Sequence, residues 1–157
     1  MPNDSNRLLF VFGTRPEAIK MAPLVRAFSA AGSFDVQVAV TAQHREILDQ
    51  VLSFFEIRPD HDLNLMRQGQ RLQGLTADIL TRLDPVLEEF SPDLVLVQGD
   101  TTTAFVAALS AYYRKISVAH VEAGLRSHDK YSPFPEEMNR ILARHIADLH
   151  LAPTQAA

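Results

Sequence analysis

Asp100 and Glu122 each stand just past a short apolar run, Leu94 to Val97 in one case and Val118 to Val121 in the other. Both runs break abruptly into small and charged residues: Gln98-Gly99-Asp100-Thr101-Thr102-Thr103, then Glu122-Ala123-Gly124-Leu125-Arg126. Short apolar runs bounded in this way read as buried strands. In an open parallel sheet the carboxyl ends of the strands form the crevice where ligands bind. Two consecutive strands therefore deliver an acid each to one rim. A further acidic pair follows in Pro133-Phe134-Pro135-Glu136-Glu137. Carboxylates whose environments push their proton affinities apart can give and take protons around a single centre. Asp100 also fits as a helix N-cap, a role that Asp favours and that does not exclude catalysis. A cap alone leaves Glu122 unexplained at the equivalent point of the next strand, with Gly124 and Arg126 behind it.

Other polar clusters fall at the same topological position. Gly13-Thr14-Arg15-Pro16-Glu17-Ala18-Ile19-Lys20 closes the first apolar run, Leu8 to Phe12. Glycine permits a tight turn, Thr14 can cap the helix and Pro16 suits its first turn. Free backbone N–H groups at such a terminus attract phosphate, and Arg15 and Lys20 add positive charge. An ordinary turn with two solvated cations has the same composition. Neither G-x-G-x-x-G nor G-x-x-x-x-G-K-[ST] is present, so dinucleotide and P-loop binding find no support. His44 follows Thr41-Ala42-Gln43 at the end of the second strand. On the helix beginning near Glu136, helical spacing sets Met138, Ile141, Leu142, Ile146 and Leu149 on an inward face. Glu136 and Arg140 then fall opposite, as a surface ion pair or as a cleft-facing acid held by an arginine. His61, His128, His145 and His150 read as surface or half-buried residues, and no histidine pair has H-E-x-x-H spacing. No metal and no cofactor are expected.

Strands and helices must alternate to bring these residues together. Strands are expected at Leu8 to Phe12, Val36 to Val40, Leu94, Val118 and Leu149 to Ala152, with a short one at Asp62 to Leu65 inside a long loop. Helices are expected from Gly13-Thr14 to about Ser29 with Gly32 as breaker, over Ile47 to Phe55, over Leu75 to Phe90 and from Thr102 to Tyr113. Pro23 should kink its helix or mark its first turn, and Pro85 should disturb another. Such alternation predicts right-handed crossovers in a doubly wound parallel α/β sheet. Residues 1–157 are expected to form a single Rossmann-like domain. The last strand lacks a covering helix, which reads as a boundary within something larger.

Composition narrows the function classes. At 157 residues, 46% hydrophobic and 22% charged, the chain suits one globular domain. A net charge of −4 argues against nucleic acid as partner. The absence of cysteine rules out disulfides and thiolate metal sites. No signal-like leader and no membrane-length apolar run are found, so a cytoplasmic protein is expected.

In combination, the motifs resemble a known family. F-G-T-R-P-E-A-I-K-M-A-P-L at Phe12 to Leu24, T-A-Q-H-R at Thr41 to Arg45 and G-D-T-T-T at Gly99 to Thr103 are three of them. H-V-E-A-G-L-R at His120 to Arg126 and Y-S-P-F-P-E-E-M-N-R at Tyr131 to Arg140 complete the set. From Val11 to Thr154 the chain closely resembles the N-terminal part of the non-hydrolysing UDP-N-acetylglucosamine 2-epimerases. The resemblance implies one half of a glycosyltransferase-B-like fold, in which two Rossmann-like domains face a cleft. It implies interconversion of UDP-N-acetylglucosamine and UDP-N-acetylmannosamine through loss and re-addition of UDP across 2-acetamidoglucal. It assigns the acids to Asp100, Glu122 and Glu136 and the diphosphate contact to Arg15, with Lys20 assisting. Regulatory substrate binding would involve Gln43, His44 and Gln70, and the enzyme would be a homodimer. Relatives are about twice this length, and their second domain supplies most nucleotide contacts and an important histidine. This chain alone is therefore expected to be inactive. Ala119, Ser127-His128, Glu46 and Gly69 depart from the pattern, the last two at positions linked to regulation. Two other readings stand beside this one: a glycosyltransferase of the same architecture, and a non-catalytic dimerisation or ligand-sensing module.

Overall fold

In the computed structural model, which describes residues 6–42, 45–65, 67, 69–155 and 157, strand β1 (Asn6–Phe12) is the centre of the sheet. Leu8 through Phe12 are all buried, as a strand covered on both faces requires. Its side chains alternate. Leu8, Phe10 and Phe12 pack on one side with Met21, Val25, Val38, Leu48 and Leu52. Leu9 and Val11 face the other, with Leu83, Leu87, Phe90, Val95, Val97 and Val118. Two apolar layers thus enclose one sheet.

The strands that follow are β2 (Phe34–Val40), β3 (His61–Asp62), β4 (Leu94–Gln98), β5 (Ser117–Val121) and β6 (Leu149–Leu151). Their order is β3-β2-β1-β4-β5-β6, and every pairing is parallel. This confirms the doubly wound α/β class. The connections from β1 and from β4 run to opposite sides, so a crevice opens between those strands at their carboxyl ends. The third strand is shorter and earlier than the expected Asp62 to Leu65, because only Ala39 and Val40 offer it partners.

Helix α1 (Arg15–Ala31) starts on Thr14, whose capping box with Glu17 is complete, and stops at Gly32 in the left-handed conformation with φ 68°. Pro23 neither starts nor splits it. The ring lies on the exposed face, where the carbonyl it leaves unpaired can be hydrated. Pro85 sits likewise on the exposed side of α3 (Leu72–Phe90), which also runs through. Helix α2 is Arg45–Phe54, and α4 is Thr102–Tyr113, as expected. Ala104, Ala107, Ala108 and Ala111 line the buried side of α4, so its backbone approaches the sheet closely.

Helix α5 (Glu136–Ile146) departs from the expected orientation. It lies against α4 and β5, and its buried residues are Glu137, Asn139 and Ala143. Of the expected inward face, Ile146 packs on the core, whereas Leu142 is exposed, as is Leu149 beyond the helix. Among the described residues nothing fully covers Leu142 and Leu149. Among the described residues no helix is long and apolar enough to cross a membrane.

Candidate active site

The crevice between β1 and β4 contains a cleft of about 220 Å³. Its lining includes Thr14, Glu17, Lys20, Gln98, Asp100, Thr101, Glu122, Leu125 and Arg140. Three turns build it: β1–α1, β4–α4 and the segment after β5. Complete small-molecule pockets run to roughly 300–1,000 Å³. The volume here is that of a partial site.

The first two turns are bolted together by Glu17. This side chain is 1% exposed, and its carboxylate accepts from the Gly13 and Thr14 amides at 3.0 and 2.7 Å and from the Thr101 hydroxyl at 2.6 Å. Burial pushes the Glu17 carboxyl above its usual range, against the lowering effect of those hydrogen bonds. Gly13 is required by proximity: a Cβ there would stand 1.9 Å from Thr41 Oγ1. Thr101, rather than Asp100, caps α4 by accepting from the Ala104 amide at 3.0 Å. Asp100 is thereby left free of that duty.

Asp100 and Glu122 share the cleft, as their positions at neighbouring strand ends predict. The Asp100 carboxylate pairs with Arg140, and Asn139 Nδ2 donates to the Asp100 carbonyl at 3.0 Å. Glu122 adopts φ 64° and accepts from Lys20 Nζ at 2.5 Å and from the Gln98 amide. The backbone beneath is fixed by Gly99 N donating to Val121 O at 3.0 Å and by His120 Nε2–H donating to Gly99 O at 2.7 Å. His120 is buried, and desolvation holds its imidazole below the usual range.

Glu136 is half-buried on the first turn of α5 and is not part of the cleft lining. Successive helical residues point about 100° apart, and Glu137 takes the inward direction instead. Fully buried, Glu137 accepts from Arg126 Nε at 2.7 Å, Ser127 N at 3.0 Å and His128 N at 3.3 Å, with Arg140 Nη1 at 3.6 Å. The Ser127 amide and then Arg126 push its carboxyl down to about 2. Arg140 therefore bridges Asp100 and Glu137, in place of the expected pair with Glu136. Arg15, expected on the rim beside Lys20, is exposed at the first position of α1, outside the lining. Gln70 is not part of the cleft lining, and its Nε2 donates to Asp78 at 2.8 Å. Gln43 and His44 lie outside the described residues.

Gln98, Glu17 and Glu137 carry no assigned role in the motif reading, although each lies inside a quoted motif or beside one. Their signal is burial, which a one-dimensional pattern does not report for a polar residue.

A doubly wound sheet with two carboxylates and a lysine in a cleft at its switch point has the arrangement of a ligand-binding α/β domain. The comparisons make the class specific. A family model described as UDP-N-acetylglucosamine 2-epimerase matches residues 26–157, and the chain belongs to that family. The UDP-N-acetylglucosamine 2-epimerase of Yersinia pestis is 60% identical over 149 residues, covering 95% of this chain and 40% of the relative. The crystal structure of UDP-GlcNAc 2-epimerase from Neisseria meningitidis bound to UDP-GlcNAc superposes with a TM-score of 0.93 at 55% identity, over 96% of this chain and 40% of that one. A Streptomyces glycosyltransferase, 20% identical with a TM-score of 0.53 over 73% of this chain and 38% of its own, shares the fold alone. The chain thus spans about 40% of the length of the relatives it matches.

Proposed function

We propose that this chain, residues 1–157, is a single Rossmann-like domain that supplies the proton-transfer half of an enzyme interconverting UDP-N-acetylglucosamine and UDP-N-acetylmannosamine. The observation that carries the reading is the meeting of Asp100 and Glu122 with Lys20 in one cleft at the sheet's switch point. The relative from Neisseria meningitidis, whose structure holds UDP-GlcNAc, supports the substrate class.

The reaction breaks the bond between sugar carbon 1 and the diphosphate oxygen, with the electron pair leaving on UDP. The proton on carbon 2 departs to a carboxylate, and a double bond forms between carbons 1 and 2, giving 2-acetamidoglucal. In the return step UDP re-forms its bond to carbon 1 while carbon 2 takes a proton on the opposite face. No carbonyl acidifies that proton, so its removal depends on a stabilised leaving group. Lys20 and Arg15 are assigned to the developing diphosphate charge. Asp100, Glu122 and Glu136 are assigned to proton transfer. Glu136 and Arg15 stand outside the present lining, so their roles depend on a cleft widened by substrate and by the rest of the enzyme.

The protein is proposed to act in the cytoplasm as a homodimer, serving polysaccharide assembly at the cell surface. Gln43, His44 and Gln70 are proposed for substrate-dependent regulation. The test is the intact protein that carries this chain, incubated with either UDP-sugar and followed by proton NMR. Both directions should reach the same mixture, and Asp100→Asn should slow the approach by about 10² or more, the scale of acid–base contributions. Transfer of the sugar to an acceptor, with no second UDP-sugar formed, would instead favour a glycosyltransferase.

A further inference from the structure

We propose that Gln98 is a positioning residue for Glu122, occupying one carboxylate oxygen together with Lys20 so that the other faces substrate. The inference rests on the proposed epimerase reading and deepens it. Both donors converge on Oε2: Lys20 Nζ at 2.5 Å, and the Gln98 side-chain amide. Among the described residues no hydrogen bond reaches Oε1. The two oxygens of Glu122 are therefore inequivalent before any ligand arrives.

The fold explains why Gln98 can do this. It is the last residue of β4, pairs in register with Val121, and is 2% exposed. Its amide emerges beside Glu122, one residue past that partner. Backbone bonds fix both ends, Gly99 N to Val121 O at 3.0 Å and Glu122 N to Leu151 O at 2.9 Å. A terminal carboxylate rotates broadly about its last bond unless something holds it. Lys20 is a poor sole anchor, being a long side chain with 48% exposure. It is also the cation that an incoming diphosphate draws away. Once Lys20 turns to phosphate, Gln98 is the donor that keeps Oε2 occupied and Oε1 aimed. A proton transfer from carbon needs that aim, since misplacing a reacting group by about 1 Å can cost 10²-fold.

The test uses the intact protein and three substitutions. Gln98→Leu removes the donor at similar volume, and kcat should fall about 10- to 100-fold while KM for UDP-N-acetylglucosamine changes less than about threefold. Gln98→Asn is one methylene too short to reach and keeps the site polar, so it should lose kcat similarly and decide the matter if the leucine variant does not fold. Gln98→His places an Nε2–H at nearly the same reach from Cβ and should recover most of the loss. Wild-type kcat in the leucine or asparagine variant would overturn the proposal, as would a histidine variant no better than asparagine. A wild-type protein that epimerises beside unchanged variants sinks this inference alone. A wild-type protein that does not epimerise sinks the functional reading and this inference with it.

Discussion

At the scale of single residues, Glu137 organises more of the site than its neighbour Glu136. Its charge is out of water, and the fold surrounds it with two backbone amides and two guanidinium groups. Removing those donors' partner leaves Arg126 and Arg140 near one another without their shared anion. The carboxyl is pushed down to about 2 from 4.5. Because the folded value is the lower one, Glu137 stabilises the fold fully above 4.5 and loses that contribution as pH falls toward about 2. The gap in unfolding free energy between wild type and Glu137→Gln should therefore narrow between about pH 6 and about pH 3 in urea titrations. A gap that stays constant over that interval would show that the charge is not what matters. Gly13 gives a second prediction. With Thr41 Oγ1 standing 1.9 Å from any added Cβ, Gly13→Ala should cost about 1–3 kcal/mol in thermal or urea unfolding, and Thr41→Ala should relieve part of it. Asp100 and Glu122 were legible as cleft residues because an acid recurs just past two consecutive strands, and Lys20 because it follows the turn that closes the first strand. Glu137 and Gln98 were not, since a buried polar residue and an exposed one look alike in a sequence.

At the scale of elements, the alternation of apolar and helical runs located the strands of the sheet, and Thr-Arg-Pro-Glu marked the start of α1. Strand order was legible only as a class, because pairing is a contact between distant segments. Pro23 does not mark the first turn of α1, and both internal prolines lie within continuous helices with their rings on the exposed face, a placement that periodicity alone does not report. Helix α5 misled in its orientation. Amphipathicity identifies an apolar stripe without identifying its partner, and here the buried side carries Glu137, Asn139 and Ala143. Leu142→Lys should accordingly change the stability of this chain by no more than about 0.5 kcal/mol. Ala107→Leu, under the sheet, should cost about 1–3 kcal/mol by overpacking. Equal sensitivity at the two positions, measured by thermal unfolding, would contradict this account of which helix faces are filled.

At the scale of the whole molecule, the cleft offers carboxylates and a lysine but encloses little. The 157 residues alone are expected to bind UDP weakly and to turn nothing over, since closure must hold the leaving group and exclude water. Phe54, at 80% exposure on α2, and the exposed Ile47 form the surface on which the proposed second copy would pack. Phe54→Glu should move the sedimentation coefficient of the intact protein from dimer toward monomer, and a wild-type monomer at high micromolar concentration would remove the basis for it. The central claim, that carboxylates of this domain exchange the proton on carbon 2, has a direct measurement. The intact protein is incubated with UDP-N-acetylglucosamine in deuterium oxide, and carbon 2 is followed by NMR in wild type, Asp100→Asn and Glu122→Gln. The account predicts deuterium at carbon 2 in both UDP-sugars with the wild type, and incorporation slowed by about 10² or more in each variant. Epimerisation that keeps the original hydrogen, or exchange that persists at the wild-type rate in either variant, would contradict it.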